Sequence, residues 1–310
     1  MEQNKPRRKR HIFLKVILVL VLLLLIGAAG VVIRFYPIYS AAGYMSQELT
    51  FQEFGYQMVV SVDREELDSS QRKVLDTLAE LTGTSREAMY QLTISGEVDG
   101  DIIHARVYPE GWTEPLLELY LSDGADVVNG AMLYGAVREH LCGQNKALEL
   151  VMPVWDDREY VSLEQVEEML GVDLSSARRF RLSFRNQNLS RWKCFGILLL
   201  TERVKTEAGE GFLFREEGLE AGIWLNRHDD EPVSLAIRMS EPAEVLGELQ
   251  SRFAEAGISL GGDGLRILDE VSLTADMEEV SLEVPDDLIS QNTVEVIKGI
   301  RMIIQKFTGN

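Results

Sequence analysis

Residues able to do chemistry are few in this chain and widely spaced. Of the four histidines, His11, His104, His140 and His228, none belongs to an H-E-x-x-H pair that would set two imidazoles on one helix face around zinc. His140 and Cys142 lie close in the chain, but two residues apart on a helix they point in different directions. His228-Asp229-Asp230, just before Glu231-Pro232, reads as a solvated turn. Asp99 and Asp101 flank Gly100 without the further ligands and closing glutamate of a calcium loop. Gly261-Gly262-Asp263-Gly264 lacks the lysine of a phosphate cradle. An enzyme would need a polar cleft holding His104, His140 or His228 beside carboxylates. No motif supplies one, so we expect a non-enzymatic chain with no metal site and no cofactor.

Two further groups could contact partners or staple the fold. Cys142 and Cys194 are the two cysteines. Two cysteines do not make a disulfide scaffold, and the sequence leaves open whether they bridge or remain buried thiols. Arg178, Arg179, Arg181, Arg185, Arg191 and Lys193 form a basic stretch within an acidic chain. Arg179, Arg181 and Arg185 alternate with Phe180, Leu182 and Phe184, so a strand would put the three guanidiniums on one face. They could meet an anionic partner, or simply be balanced by neighbouring carboxylates.

The elements that must position these groups begin with an apolar run. Val16–Ile33 carries no charge and no proline. At about 1.5 Å per residue its helix approaches the ~30 Å hydrocarbon core of a bilayer, and Lys15 can snorkel if the span starts at Ile12. Lys5, Arg7, Arg8, Lys9, Arg10 and Lys15 precede it, and only Arg34 follows closely. The positive-inside rule then keeps residues 1–11 in the cytoplasm, makes residues 12–34 a single-pass transmembrane anchor, and exports the rest. Phe35, Tyr36, Tyr39 and Tyr44 suit the outer interface. A cleaved signal peptide ending near Ser40-Ala41-Ala42 is the competing reading, although the apolar run exceeds a usual signal core. Residues 35–52 are expected to be a linker, with Ala41–Gln52 its best segment, and residues 53–310 the exported domain.

Charge bounds the partners. The chain holds 31 Lys and Arg against 50 Asp and Glu, a net −19. Seven of the basic residues and only Glu2 among the acids lie in residues 1–34, so the remainder is more acidic still. Such a domain repels phosphate backbones, and no nucleic-acid partner is expected.

Strands dominate the exported part. Phe51–Asp63 reads as a strand. Ser69–Leu81 reads as a helix capped by Ser69 or Ser70 and stopped by Gly83. Tyr90–Val98 and Ile102–Tyr108 flank the hairpin signal Asp99-Gly100, and Leu116–Leu121 is a further strand. Asp126–Val128 and Ala131–Tyr134 flank a second such signal, Asn129-Gly130. Short helices over Ala136–Cys142 and parts of Lys146–Met152 follow. Then comes a capping-box helix, Ser162–Leu170, with Gln165 three residues after Ser162. Lys193–Val204, with its run Ile197–Leu200, suggests a strand covered on both faces. Strands over Phe212–Phe214, Gly222–Asn226, Val233–Met239, Val271–Met277 and Val280–Val284 are interrupted by a helix, Pro242–Ala256. A last helix spans Thr293–Phe307. The expected class is α+β: a curved antiparallel sheet, half-barrel-like, with helices on its concave face. Two β-rich subdomains divided near Arg158–Ser176 are the alternative.

The order Glu118-Leu119-Tyr120-Leu121, Val127-Val128-Asn129, helices, Tyr160-Val161-Ser162-Leu163, then paired strands closing on a helix, resembles that of the exported bacterial half-barrel proteins of the LolA-like lipoprotein-carrier type. The resemblance covers roughly residues 50–307 and rests on element order, not on a diagnostic motif. It implies an apolar cavity for acyl chains. Carriers of that type shuttle, whereas this chain looks tethered. The expected function is therefore a membrane-anchored extracytoplasmic domain of a bacterial envelope that binds a lipid-like hydrophobic ligand or an envelope protein. A structural or assembly protein with a solid core is the alternative.

Overall fold

A computed structural model describes residues 34–43, 45–46, 53–122, 125–156, 158–170, 190–206, 209–225, 234–245 and 267–308. It is an α+β fold built on one 11-stranded antiparallel sheet, open and curved. The strands are β1 (Glu53–Val62), β2 (Gln91–Asp99), β3 (Ile102–Pro109), β4 (Leu117–Leu121), β5 (Val127–Asn129), β6 (Val161–Ser162), β7 (Glu202–Thr206), β8 (Gly209–Glu216), β9 (Leu219–Leu225), β10 (Ser234–Ser240) and β11 (Leu268–Asp276). Their spatial order, β6-β5-β4-β3-β2-β1-β11-β10-β9-β8-β7, joins two meanders through the pairing of β1 with β11. That join puts Met58 opposite Leu273. A single sheet therefore crosses the proposed subdomain boundary.

Register sorts the side chains into two faces, because directly paired residues share a side. One face is polar: Gln57, Ser95 and Arg106 lie in one row with Glu118, and Glu97, His104 and Tyr120 in the next. The other is apolar. Ile237, Leu273, Met58, Ile94, Val107 and Leu117 form a continuous cross-strand row over six neighbouring strands.

Helices pack on the apolar face, at its periphery. One (α1) covers residues 34–43 and continues at 45 and 46. The others are α2 (Ser69–Thr82), α3 (Arg86–Met89), α4 (Ala131–Gln144), α5 (Leu163–Leu170), α6 (Arg191–Leu199) and α7 (Gln291–Thr308), with a 3-10 turn at Lys146–Leu150. α2 and α4 share a core with Met89, Leu116 and Leu117. α5 and α7 meet around Val161, Met169 and Val294. α1 and α6 bury Ala41, Ala42, Met45, Cys194 and Leu198 against Phe212 and Leu225.

Local signals account for most boundaries. Gly100 has φ 55 at the β2–β3 hairpin, where a residue without Cβ is favoured. Ser162 Oγ accepts from Gln165 N at 3.1 Å, and Gln165 Oε1 accepts from Ser162 N at 3.0 Å, the expected capping box of α5. For α2 the box belongs to Asp68 and Gln71, not to Ser69 or Ser70, and Gly83 ends the helix at φ 67.

Four expectations are corrected. Asn129-Gly130 is not a hairpin: Gly130 sits at φ −122 and opens α4, so neither the left-handed turn nor a strand at Ala131–Tyr134 forms. Instead β5 pairs on its far side with β6. Lys193–Val204 is not one strand. Ser190 Oγ accepts from Lys193 N at 3.4 Å and caps α6, which runs to Leu199 before β7 begins. Val280, Leu282 and Val284 keep their alternating half-burial but have no ladder; the stretch is tied by Leu282 N donating to Asp99 Oδ2 at 3.0 Å. The segment expected to be a linker contains α1, with Ala41 and Ala42 fully buried, because small residues let the helix approach α6 closely. The Phe180–Phe184 strand and all but residues 242–245 of the Pro242–Ala256 helix lie outside the described residues, as does the apolar run before residue 34. Among the described residues no helix is long and apolar enough to cross a membrane.

The docking of α1 has a measurable consequence. Burial pushes the Cys194 thiol up from its ordinary range, and access to it runs through the α1 contact. A chain shortened to start at residue 45 is expected to let a thiol reagent label Cys194 at least about ten times faster than in the full chain. Equal rates would place α1 off the core.

Candidate functional site

A dense polar cluster is assembled by register across β2, β3 and β4. Glu97, His104 and Tyr120 are cross-strand neighbours, and Arg106 stands opposite Glu118. His104 is buried at 3% exposure. Its Nδ1 lies 3.0 Å from Glu97 Oε2 and its Nε2 lies 2.7 Å from Glu118 Oε1. A neutral imidazole has one N–H, so both contacts can be hydrogen bonds only when the ring carries both protons. Arg106 approaches Glu97 at 3.8 Å and Glu118 at 3.9 Å. With a doubly protonated ring, two cations and two carboxylates balance.

Tyrosines complete the enclosure. Tyr120 stacks on the His104 ring at 4.3 Å and 15°. Tyr160 donates to Glu118 Oε2 at 3.0 Å. It is placed by the chain end: its N–H bonds Asp287 O at 2.8 Å and its carbonyl accepts from Ile289 N at 2.9 Å. From the apolar side, Tyr56 donates to the His104 carbonyl at 3.1 Å. The hydrogen bond from His104, aided by that from Tyr160, holds the Glu118 carboxyl below its usual range against the opposing effect of burial. Burial, reinforced by Glu97, pushes the Tyr56 phenol up to about 12. Burial, then the bond to Glu118, raises Tyr160 also. These phenols therefore remain donors at neutral pH.

A histidine beside carboxylates is the arrangement expected of an enzyme. Here, however, both ring nitrogens are taken by glutamates and one ring face is covered by Tyr120. The imidazole must break an existing contact before it can act as a base on a substrate. The cluster is a closed ionic clamp across three strands. Beside it, Glu97, Arg106, Asp276 and Glu278 line a shallow groove of about 290 Å³.

Of the histidines, cysteines and arginines singled out from the sequence, His104 stands in this cluster, and the others described are placed elsewhere. Cys142 and Cys194 are buried thiols on α4 and α6. His140 Nε2 is 2.9 Å from Gln144 Nε2, one helical turn on. Arg179, Arg181, Arg185, His228 and the Gly261–Gly264 loop lie outside the described residues. No group of three or more His, Cys, Asp or Glu among the described residues is placed to hold a metal ion. The His104 cluster was missed because its members are spread from Glu97 to Tyr160. The signal that could have found it is the hairpin: Asp99-Gly100 fixes a register in which Glu97 must face His104.

A second feature is apolar and exposed. Beyond Arg191 and Lys193 in its first turn, α6 is apolar. Cys194 and Leu198 face the core, while Trp192, Ile197, Leu199 and Leu200 are exposed at 70%, 40%, 44% and 75%. Tyr39 of α1 packs tilted against Trp192 and edgewise on Phe195, and lies under Arg191 at 4.8 Å.

No protein-family model matches this chain, and no curated protein and no solved structure shows significant similarity to it.

Proposed function

We propose that this chain is a membrane-anchored, extracytoplasmic binding domain whose sheet receives a lipid-like apolar ligand on its apolar face. The observation that carries the reading is the central row Ile237, Leu273, Met58, Ile94 and Val107, whose side chains are all only half-buried. Sheet centres ordinarily bury such residues. Among the described residues the helix clusters sit around Leu116, Val161 and Phe212 instead, and the middle of the face forms an apolar floor. Such a floor suits an acyl chain, which needs extended apolar contact and few polar partners.

The exposed apolar arc of α6, next to α1, which follows the apolar run 16–33 in sequence, supports a location against the bilayer. Tryptophan and tyrosine favour that interface. The curved antiparallel sheet with helices on one face is also what the carrier-type resemblance implies.

The test is native mass spectrometry of the full chain in mild detergent, with solvent extraction of the denatured protein. A retained lipid of discrete mass supports the reading. A clean apo mass that takes up no added long-chain fatty acid sinks it and leaves an envelope scaffold as the account of the sheet.

A further inference from the structure

We infer that the groove between α2 and α3 is a binding site for a phosphate-type anion, of the phosphomonoester or phosphodiester class. The inference does not depend on what occupies the sheet. The groove measures about 440 Å³, and its charged lining is Arg64, Arg72, Lys73 and Arg86 against Asp76 and Glu80. Four cations thus face two carboxylates in a chain whose net charge is −19. Salt screens charges beyond roughly 8 Å, so the local excess decides what binds, not the distant acids.

The two carboxylates do not use up the cations. Asp76 takes Arg64 at 3.6 Å and Arg86 at 3.8 Å, both longer than a hydrogen bond. Its Oδ1 accepts from the Tyr90 hydroxyl at 3.1 Å, and Arg64 also rests over the Tyr90 ring at 5.8 Å. Asp76 and Tyr90 therefore act as a prop that holds two guanidiniums from different elements over one opening. Arg72 and Lys73 have no carboxylate within ion-pair distance among the described residues. Arg72 Nε is buried with no hydrogen-bond partner, an uncommon state for a buried donor.

Three guanidiniums and an ammonium around one opening match the oxygens of a tetrahedral oxyanion, which arginine forks bind bidentately. The groove exceeds what a bare phosphate needs and lies in the range of small-ligand sites. It therefore has room for the alcohol side of the ester. That shared chemistry is offered both by a soluble phosphoester and by a phospholipid headgroup.

The experiment titrates the full chain in neutral detergent micelles, by calorimetry, with glycerol 3-phosphate and separately with phosphatidylglycerol mixed into the micelles. At least one arm is expected to bind, to weaken with added salt, and to weaken about tenfold or more in Arg72→Gln/Lys73→Gln. Arg72→Lys, which keeps the charge and loses the fork, is expected to fall between. Binding of the soluble ester identifies a free metabolite as ligand; binding of the lipid alone identifies a headgroup. The site is refuted if neither arm binds at millimolar concentration, or if the double variant, shown by its circular dichroism melt to be folded, binds as tightly as the parent.

Discussion

Gly96→Ala is expected to destabilise the fold by about 3 kcal/mol or more, the largest effect of any single methyl in the sheet. Gly96 lies on β2 between Tyr56 of β1 and Ala105 of β3. A Cβ there would collide with the His104 carbonyl oxygen and lie 2.8 Å from its carbon and 3.0 Å from Ala105 Cα. These are backbone atoms, so no side-chain rotamer relieves the clash; β2 and β3 have to separate. The same glycine lets the Tyr56 ring lie across β2 and reach the His104 carbonyl. One methyl therefore strikes the strand pairing and the support beneath the ionic clamp together. The check is chemical denaturation of parent and variant, with Gly135→Ala as control. Gly135 is an exposed helical position on α4 with nothing near its missing Cβ, and alanine there should stabilise by up to about 1 kcal/mol. A Gly96→Ala chain as stable as its parent would mean that the β2–β3 approach is not as close as described.

The parts of this fold legible in the sequence are those with a short-range cause. Gly83, Gly100 and the Ser162–Gln165 box each declare a backbone conformation that their own residue types demand, and each element ends where they say. The misreadings arise where one local pattern has two structural solutions. Asn129-Gly130 is a turn signal only if the next residues prefer a strand. Ala131-Met132-Leu133 prefer a helix, and Gly130 then serves as its entry. Ile197–Leu200 is uniformly apolar, which fits a doubly covered strand, but Ser190 upstream caps a helix whose outer arc is simply left exposed. Val280–Val284 alternates as a strand should. Alternation reports two-sided environment, not hydrogen-bond partners. Least legible is whatever depends on long separations. The β1–β11 join pairs Met58 with Leu273, and the His104 cluster draws Tyr160 in through backbone bonds to Asp287 and Ile289. Nothing near any of these residues announces the other.

Those long separations make the clamp a sensitive probe of the whole arrangement. His104→Leu should destabilise the fold at neutral pH by about 3–5 kcal/mol, the range for breaking a buried ion pair from one side. Leucine removes the imidazole that bridges Glu97 and Glu118, leaving two nearby carboxylates with Arg106 at 3.8 and 3.9 Å as their shared cation. The pH dependence carries the argument further. In the parent, Glu118 is held below its ordinary range. A depressed carboxyl contributes stability that is fully present above its unfolded value, near 4.5, and is lost as pH falls through the lower folded value. In the variant the sign reverses for Glu118: without the His104 bond, burial favours its protonated form, so stability recovers as pH falls and is lost as pH rises. The gap between the two chains should therefore narrow steadily from pH 7 towards pH 4. Urea midpoints measured at half-unit steps across that interval would reveal it, with Glu118→Gln expected to show a flatter acid limb than the parent. A constant gap would mean that His104 stabilises by packing alone. The convergence instead would show an ionic clamp that weakens in acid, and with it the anchoring of Tyr160 and the chain end to the sheet.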